Sequence, residues 1–166
     1  MKSKHHPRLE PYIGWPVVLD SNLLLLHWCA SFDPMLVRTF KRLNAFTLSD
    51  LYTLAEALKA LGELRTTPPV LTEVSNLAYG LPSWKKLAWS NHISEGITLT
   101  PEFYEPASTI MTDPESAEFG LTNAALTRLA EVNLILTIDW RLASLLRSRG
   151  RAGINFKHLR PGGLLA

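Results

Sequence analysis

Residues 120–140 read GLTNAALTRLAEVNLILTIDW, and the fold turns on how this stretch is parsed. Helical spacing runs over 122–132, and the apolar residues 134–138 then form a short buried strand that stops at Asp139. Beyond it, residues 140–149 return to helical spacing until Gly150, and GINF (153–156) gives a last short strand. The order is helix, strand, acid, helix, strand.

The same order occurs upstream. PVVLD (16–20) is a short apolar run bounded by Pro16 and closed by Asp20, and SNLLLLHWCASF then loses alternation, with Ser21 or Asn22 placed to cap a helix. In PPVLTEVSNLAYGL, Val70 and Leu71 read as a buried strand, with Thr72 capping a helix that begins at Glu73. Between these, 34–45 and 48–62 read as an antiparallel helix pair, the second with Leu51, Leu54, Leu58 and Leu61 at helical spacing. Residues 82–93 read as a further helix carrying Trp84 and Trp89, a core-facing pair beside a solvated lysine face, the alternative being that they and Lys85 and Lys86 stack on and grip RNA, and ITLT (97–100) reads as a weaker strand. Residues 101–119 give no clear pattern. Strands alternating with helices indicate an α/β fold with a mainly parallel sheet.

A chain of 166 residues with 46% apolar and 19% charged residues suits one domain with a real core. Its organisation reads as an N-terminal arm (1–15) holding His5 and His6, a domain over 16–160 and a loose tail (161–166). The net charge of +2 is compatible with nucleic acid without the density of a purely electrostatic binder. The single Cys29 excludes an intrachain disulfide and suits a core position. The N-terminal residues lack the apolar stretch of a signal peptide, and no run approaches the ~18 apolar residues of a membrane span. A cytoplasmic location is the default expectation. No P-loop, G-x-G-x-x-G or G-x-S-x-G is present, so nucleotide cofactors and serine hydrolysis lack support.

Asp20, Glu73 and Asp139 each fall at a strand's carboxyl end or in the first turn of the next helix, and in a parallel sheet such ends converge on one edge. Asn123 would join them from a helix N-terminus. Capping explains any one of these acids, but it does not require their recurrence on one edge. Two carboxylates at ~4 Å repel by about 4 kcal/mol at an effective dielectric of ~20, so a cation should hold the group together. All-oxygen ligands favour Mg²⁺ or Mn²⁺, which can activate water and neutralise a phosphate. Arg141 could reach a phosphate there, as could Arg38, Lys41 and Arg42; ordinary surface charge is the alternative for all four.

VVLDSNLLL, VLTEVSNL, FGLTNAAL, LILTIDWRLASLL and GINFKHL, in this order and spacing, resemble the motifs of PIN-domain nucleases, especially VapC-type toxins of toxin–antitoxin pairs, over residues 16–160. The resemblance implies a three-layer α/β/α sandwich, a Mg²⁺- or Mn²⁺-dependent endoribonuclease, a homodimer, and a cognate antitoxin that blocks the site with a basic side chain. The family's first, second and fourth acids fall on Asp20, Glu73 and Asp139 and its third on Asn123, with Thr137, Ser21 and Asn22 in supporting positions. Asparagine where the family carries aspartate leaves one negative charge fewer and implies weaker metal binding and lower activity, whether by natural divergence or by a silencing substitution. Asp113, Glu115 and Glu118 are distant candidates to compensate. The alternative is a PIN-like RNA- or protein-binding module that does not cleave.

Overall fold

The computed structural model describes residues 6–161, so His5 and most of the 161–166 tail lie outside it. Four short strands, β1 (Val17–Leu19), β2 (Leu64–Arg65), β3 (Leu134–Thr137) and β4 (Gly153–Asn155), form one sheet in the order β2-β1-β3-β4. Every pairing is parallel, with Val17 opposite both Leu64 and Leu134, and Thr137 opposite Asn155. The central strands β1 and β3 are buried on both faces, which is why they read as unbroken apolar runs and not as alternating ones.

The helices are α1 (Ser21–Phe32), α2 (Leu36–Thr39), α3 (Leu48–Ala60), α4 (Pro68–Ala78), α5 (Ser83–Thr98), α6 (Ala107–Ile110), α7 (Glu115–Leu129) and α8 (Trp140–Ser148). The β1-to-β2 connection moves across the sheet one way and β3-to-β4 the other, so right-handed crossovers put α1–α3 and α8 on opposite faces. The result is an α/β fold with helices flanking an all-parallel sheet, as the strand–helix alternation indicates. Helix α1 has no polar stripe because α2, α3, α4 and α5 all pack against it; Leu23 to Leu26, Trp28 and Cys29 are all buried.

Several local readings are corrected. Val70 and Leu71 belong to α4, whose N-cap is Thr67 and whose first residues are Pro68 and Pro69; the strand in this region is the two-residue β2. Proline's fixed φ and missing N–H suit the first helical turn, and Val70, Val74 and Ala78 then form its buried stripe. The reading of 34–45 as one helix gives way to α2 and a separate 3-10 turn at Lys41–Leu43, parted at Phe40 by extended backbone. Residues 97 and 98 end α5, and the Thr98 and Thr100 hydroxyls donate to the carbonyls of Ser94 and Gly96 four residues back, a bond that competes with strand formation. Trp89 is buried but Trp84 is 77% exposed, so the pair does not share a core face.

Residues 7–15 are fastened to the domain. A 3-10 turn at Pro7–Tyr12 buries Leu9 and packs Tyr12 on the core, and the Gly14 and Gly62 N–H groups donate to the Ala60 and Trp15 carbonyls at 3.0 and 2.7 Å. At the far end, Arg160 donates to both Asp50 oxygens at 2.6 and 3.2 Å, and Asp50 itself closes the capping box with Thr47 at the start of α3.

The Gly14–Gly62 contact yields a stability test. A Cβ on Gly62 would lie 2.5 Å from the Gly14 carbonyl oxygen, a backbone atom that cannot step aside. Gly62→Ala is expected to cost about 1–3 kcal/mol, read as a lower urea midpoint with the slope unchanged.

Candidate functional site

Asp20 follows β1 and is the N-cap of α1; its Oδ1 accepts from the Leu23 N–H at 2.8 Å. Its Oδ2 turns toward the neighbouring strand end and accepts from the Thr137 hydroxyl at 2.6 Å and the Ile138 N–H at 2.7 Å. Thr137, fully buried at the end of β3, also accepts from the Asp139 N–H at 2.9 Å through the same hydroxyl. One side chain therefore ties the first acid to the last. Asp139 caps α8, its Oδ1 accepting from the Arg141 and Leu142 N–H groups at 2.8 and 3.4 Å.

Glu73 arrives from the second turn of α4, which packs against α1, and its Oε2 accepts from the Ser21 hydroxyl at 2.6 Å. Asn123 reaches the edge from α7, where Gly120 (φ 78°, ψ 172°) breaks the helix so that a new segment starts just before it. Only glycine adopts that conformation freely. The Asn123 amide nitrogen lies 3.4 Å from Asp139 Oδ2, so the side chain presents a donor, not an oxygen, to this acid. Hydrogen bonds thus join Glu73 to Ser21, the residue after Asp20, and Asp20 through Thr137 to the backbone of Asp139, whose carboxylate meets Asn123. Asn22 is half-buried beside Ser21.

Other candidate residues stand apart from these bonds. Arg141 is exposed, pairs with Glu118 at 2.7 Å and lies over the Phe119 ring, so its charge is already engaged at the rim. Asp113 pairs with Arg128, and Glu115 with Arg149; with Glu118 also paired, none of the three replaces the charge missing at Asn123. Arg38, Lys41 and Arg42 follow the opposite end of α1 from Asp20, about 18 Å along the helix axis, too far to meet a phosphate held at the acids.

The electrostatics of Asp20 set the edge's character. Burial holds its carboxyl above the usual value, against the pull of the three donors, and the charge of Glu73 adds to the rise. Among the described residues no Lys, Arg or His side chain pairs with Asp20, Glu73 or Asp139. Uncompensated carboxylates without imidazole or thiolate suit a hard cation held by oxygen. Still, among the described residues no three His, Cys, Asp or Glu side chains stand close enough together to form a ready-made metal cage. The donor set fits Mg²⁺ or Mn²⁺ in chemistry, without preformed coordination.

Comparison of the chain with protein-family models, with curated proteins and with solved structures finds no match. The case for a function therefore rests on this edge. The backbone donors Leu23 and Ile138 were not foreseeable from residue type, since every residue but proline carries the same N–H.

Two outcomes follow from these bonds. Thr137→Val keeps the shape but removes the hydroxyl shared by Asp20 and Asp139, and is expected to lower stability by about 1–3 kcal/mol, measured by chemical denaturation. The raised carboxyl of Asp20 means that the folded chain holds this proton to higher pH than the unfolded chain does. Between the unfolded value of about 3.9 and the folded one, the native state binds more protons, so this group's contribution to stability falls as pH rises. With chelator present, Asp20→Asn should remove that component from a plot of unfolding free energy against pH; an unchanged slope would show that Asp20 is not its source.

Proposed function

We propose that this protein is a divalent-metal-dependent endoribonuclease of the PIN-domain kind, the toxin of a toxin–antitoxin pair, which hydrolyses RNA phosphodiester bonds at the acidic edge. The reading is carried by Asp20: a buried carboxylate at the end of a central strand, set against Glu73 and tied to Asp139, with no cationic side chain among the described residues to balance it. Asp20, Glu73 and Asp139 would hold Mg²⁺ or Mn²⁺. Such an ion would polarise a water for attack and offset the charge that develops on the phosphate.

The chain's own residues provide the positioning. Thr137 and the Ile138 N–H orient one oxygen of Asp20, Ser21 fixes Glu73 from the next position in the chain, and two N–H groups at the start of α8 fix Asp139. Asn123 contributes no charge, and its amide lies against Asp139 where a carboxylate would repel. Weaker ion binding and slower cleavage follow. In the toxin reading the active form is a homodimer, and a cognate antitoxin inhibits it by extending a basic side chain to the acids.

The Asn123–Asp139 contact also favours a second reading, an RNA- or protein-binding module that does not cleave: a neutral donor beside Asp139 satisfies that acid without an ion. Calorimetric Mn²⁺ titration and cleavage of a labelled RNA separate the two. The nuclease should bind Mn²⁺ and lose about 100-fold or more in rate on Asp20→Ala or Asp139→Ala. Asn123→Asp should tighten Mn²⁺ binding by about tenfold, one step of 1.4 kcal/mol, and raise the rate. RNA or protein binding that persists in chelator, with no cleavage by either the natural chain or Asn123→Asp, would establish the module instead.

A further inference from the structure

The face of α8 leading away from Asp139 carries Trp140, Ala143, Ser144 and Arg147 at helical spacing and forms one wall of a cavity of about 400 Å³. Arg8, from the N-terminal 3-10 turn, and His158, after β4, line it as well. No Asp or Glu does. Exposed Arg38 and Arg42 hold no carboxylate among the described residues, but most arginines elsewhere are matched: Arg65, Arg128, Arg141, Arg149, Arg151 and Arg160 each hold one. By contrast, among the described residues Arg8 and Arg147 make no ion pair and the buried Arg8 Nε has no hydrogen-bond partner. Both guanidiniums lie near enough to His158 to add to burial in holding its imidazole below the usual value.

Gathered like charges and an orphaned buried N–H call for an anion. Two further features say which kind. Trp140 is 69% exposed and directly follows Asp139, offering a broad aromatic surface beside the acids. The β4 wall ends at Asn155, paired in register with Thr137, the residue that joins Asp20 to Asp139. The cavity therefore adjoins the acidic edge.

We propose that this cavity is a nucleotide subsite for single-stranded RNA, which holds a strand phosphate on Arg8 and Arg147 and stacks the attached base on Trp140. The inference rests on the reading of the acidic edge as a ribonuclease site, since it assigns the path of the strand next to it. A guanidinium fork matches a phosphate, and an aromatic face beside it rewards a base joined to that phosphate, whereas an acidic peptide would gain only the charge.

The test is fluorescence anisotropy with a labelled single-stranded oligouridylate and the full chain, in chelator so that nothing is cleaved. Arg147→Glu is expected to weaken binding by about tenfold or more and to make the salt dependence shallower by roughly one phosphate contact. Trp140→Ala should weaken it about tenfold, the loss of one stacked base. The charge-matched control Arg42→Glu, in a separate cavity beyond the far end of α1, should leave affinity unchanged. Both arginines are exposed, so the variants should fold, which circular dichroism melts would check. Equal weakening by Arg147→Glu and Arg42→Glu would mean diffuse attraction and overturn the subsite. So would competition by inorganic phosphate or polyglutamate as effective as that by the oligonucleotide, the first marking a small-anion site and the second an acidic protein partner. Selective loss of RNA affinity in Arg147→Glu without Mn²⁺-dependent cleavage by the natural chain would leave the subsite standing and remove the nuclease. Cleavage whose KM ignores Arg147→Glu would remove the subsite alone.

Discussion

The carboxylate of Asp20 accepts three short hydrogen bonds from three different places: the first turn of α1, the last side chain of β3 and the backbone just beyond it. Those donors exist together only if β1 and β3 are neighbours in parallel with Leu19 opposite Leu136, so the charged group and the strand register specify each other. A slip of one residue would turn Thr137 away and leave a buried carboxylate short of partners, a far larger penalty than an imperfect apolar contact. Around this fixed point the remaining polar groups assemble, with Ser21 leading to Glu73 and Thr137 leading to Asp139.

The edge keeps its negative charge unbalanced while much of the protein does the opposite. Asp50 is buried yet held by Arg160, and Glu115 is buried yet held by Arg149, each a structural pair. Asp20 is buried too and, among the described residues, has beside it only dipoles and the like charge of Glu73. A buried acid beside a second acid and without a cationic partner among the described residues is the chief support for the proposed metal-dependent reading. Asn123 softens that imbalance by one charge. The arginines of the neighbouring cavity show the reverse imbalance, positive charge without a carboxylate, a short distance along α8. The juxtaposition suits a substrate that brings both a phosphate and a need for its hydrolysis.

The chain's own letters were enough for the strand–acid–helix order at Asp20 and Asp139, the parallel α/β class and the helix start near Asn123. These features are local: apolar runs mark buried strands, and an acid after a strand marks a cap, whatever lies elsewhere. Where a local signal was ambiguous the reading failed. Val70 and Leu71 are too short a run for periodicity to separate strand from helix, although Pro68, Pro69 and the four-residue spacing to Val74 and Ala78 carried the helical signal. Only the tertiary structure decided which groups meet, because the Ser21–Glu73 and Asp20–Thr137 bonds join residues 52 and 117 positions apart and depend on sheet order. It also decided that Arg141 is taken by Glu118, that Asn123 faces Asp139 with its nitrogen, and that Arg8 from the chain's beginning meets Arg147 and His158 near its end. Residue type states what a side chain can bond; the packing of distant segments selects the partner.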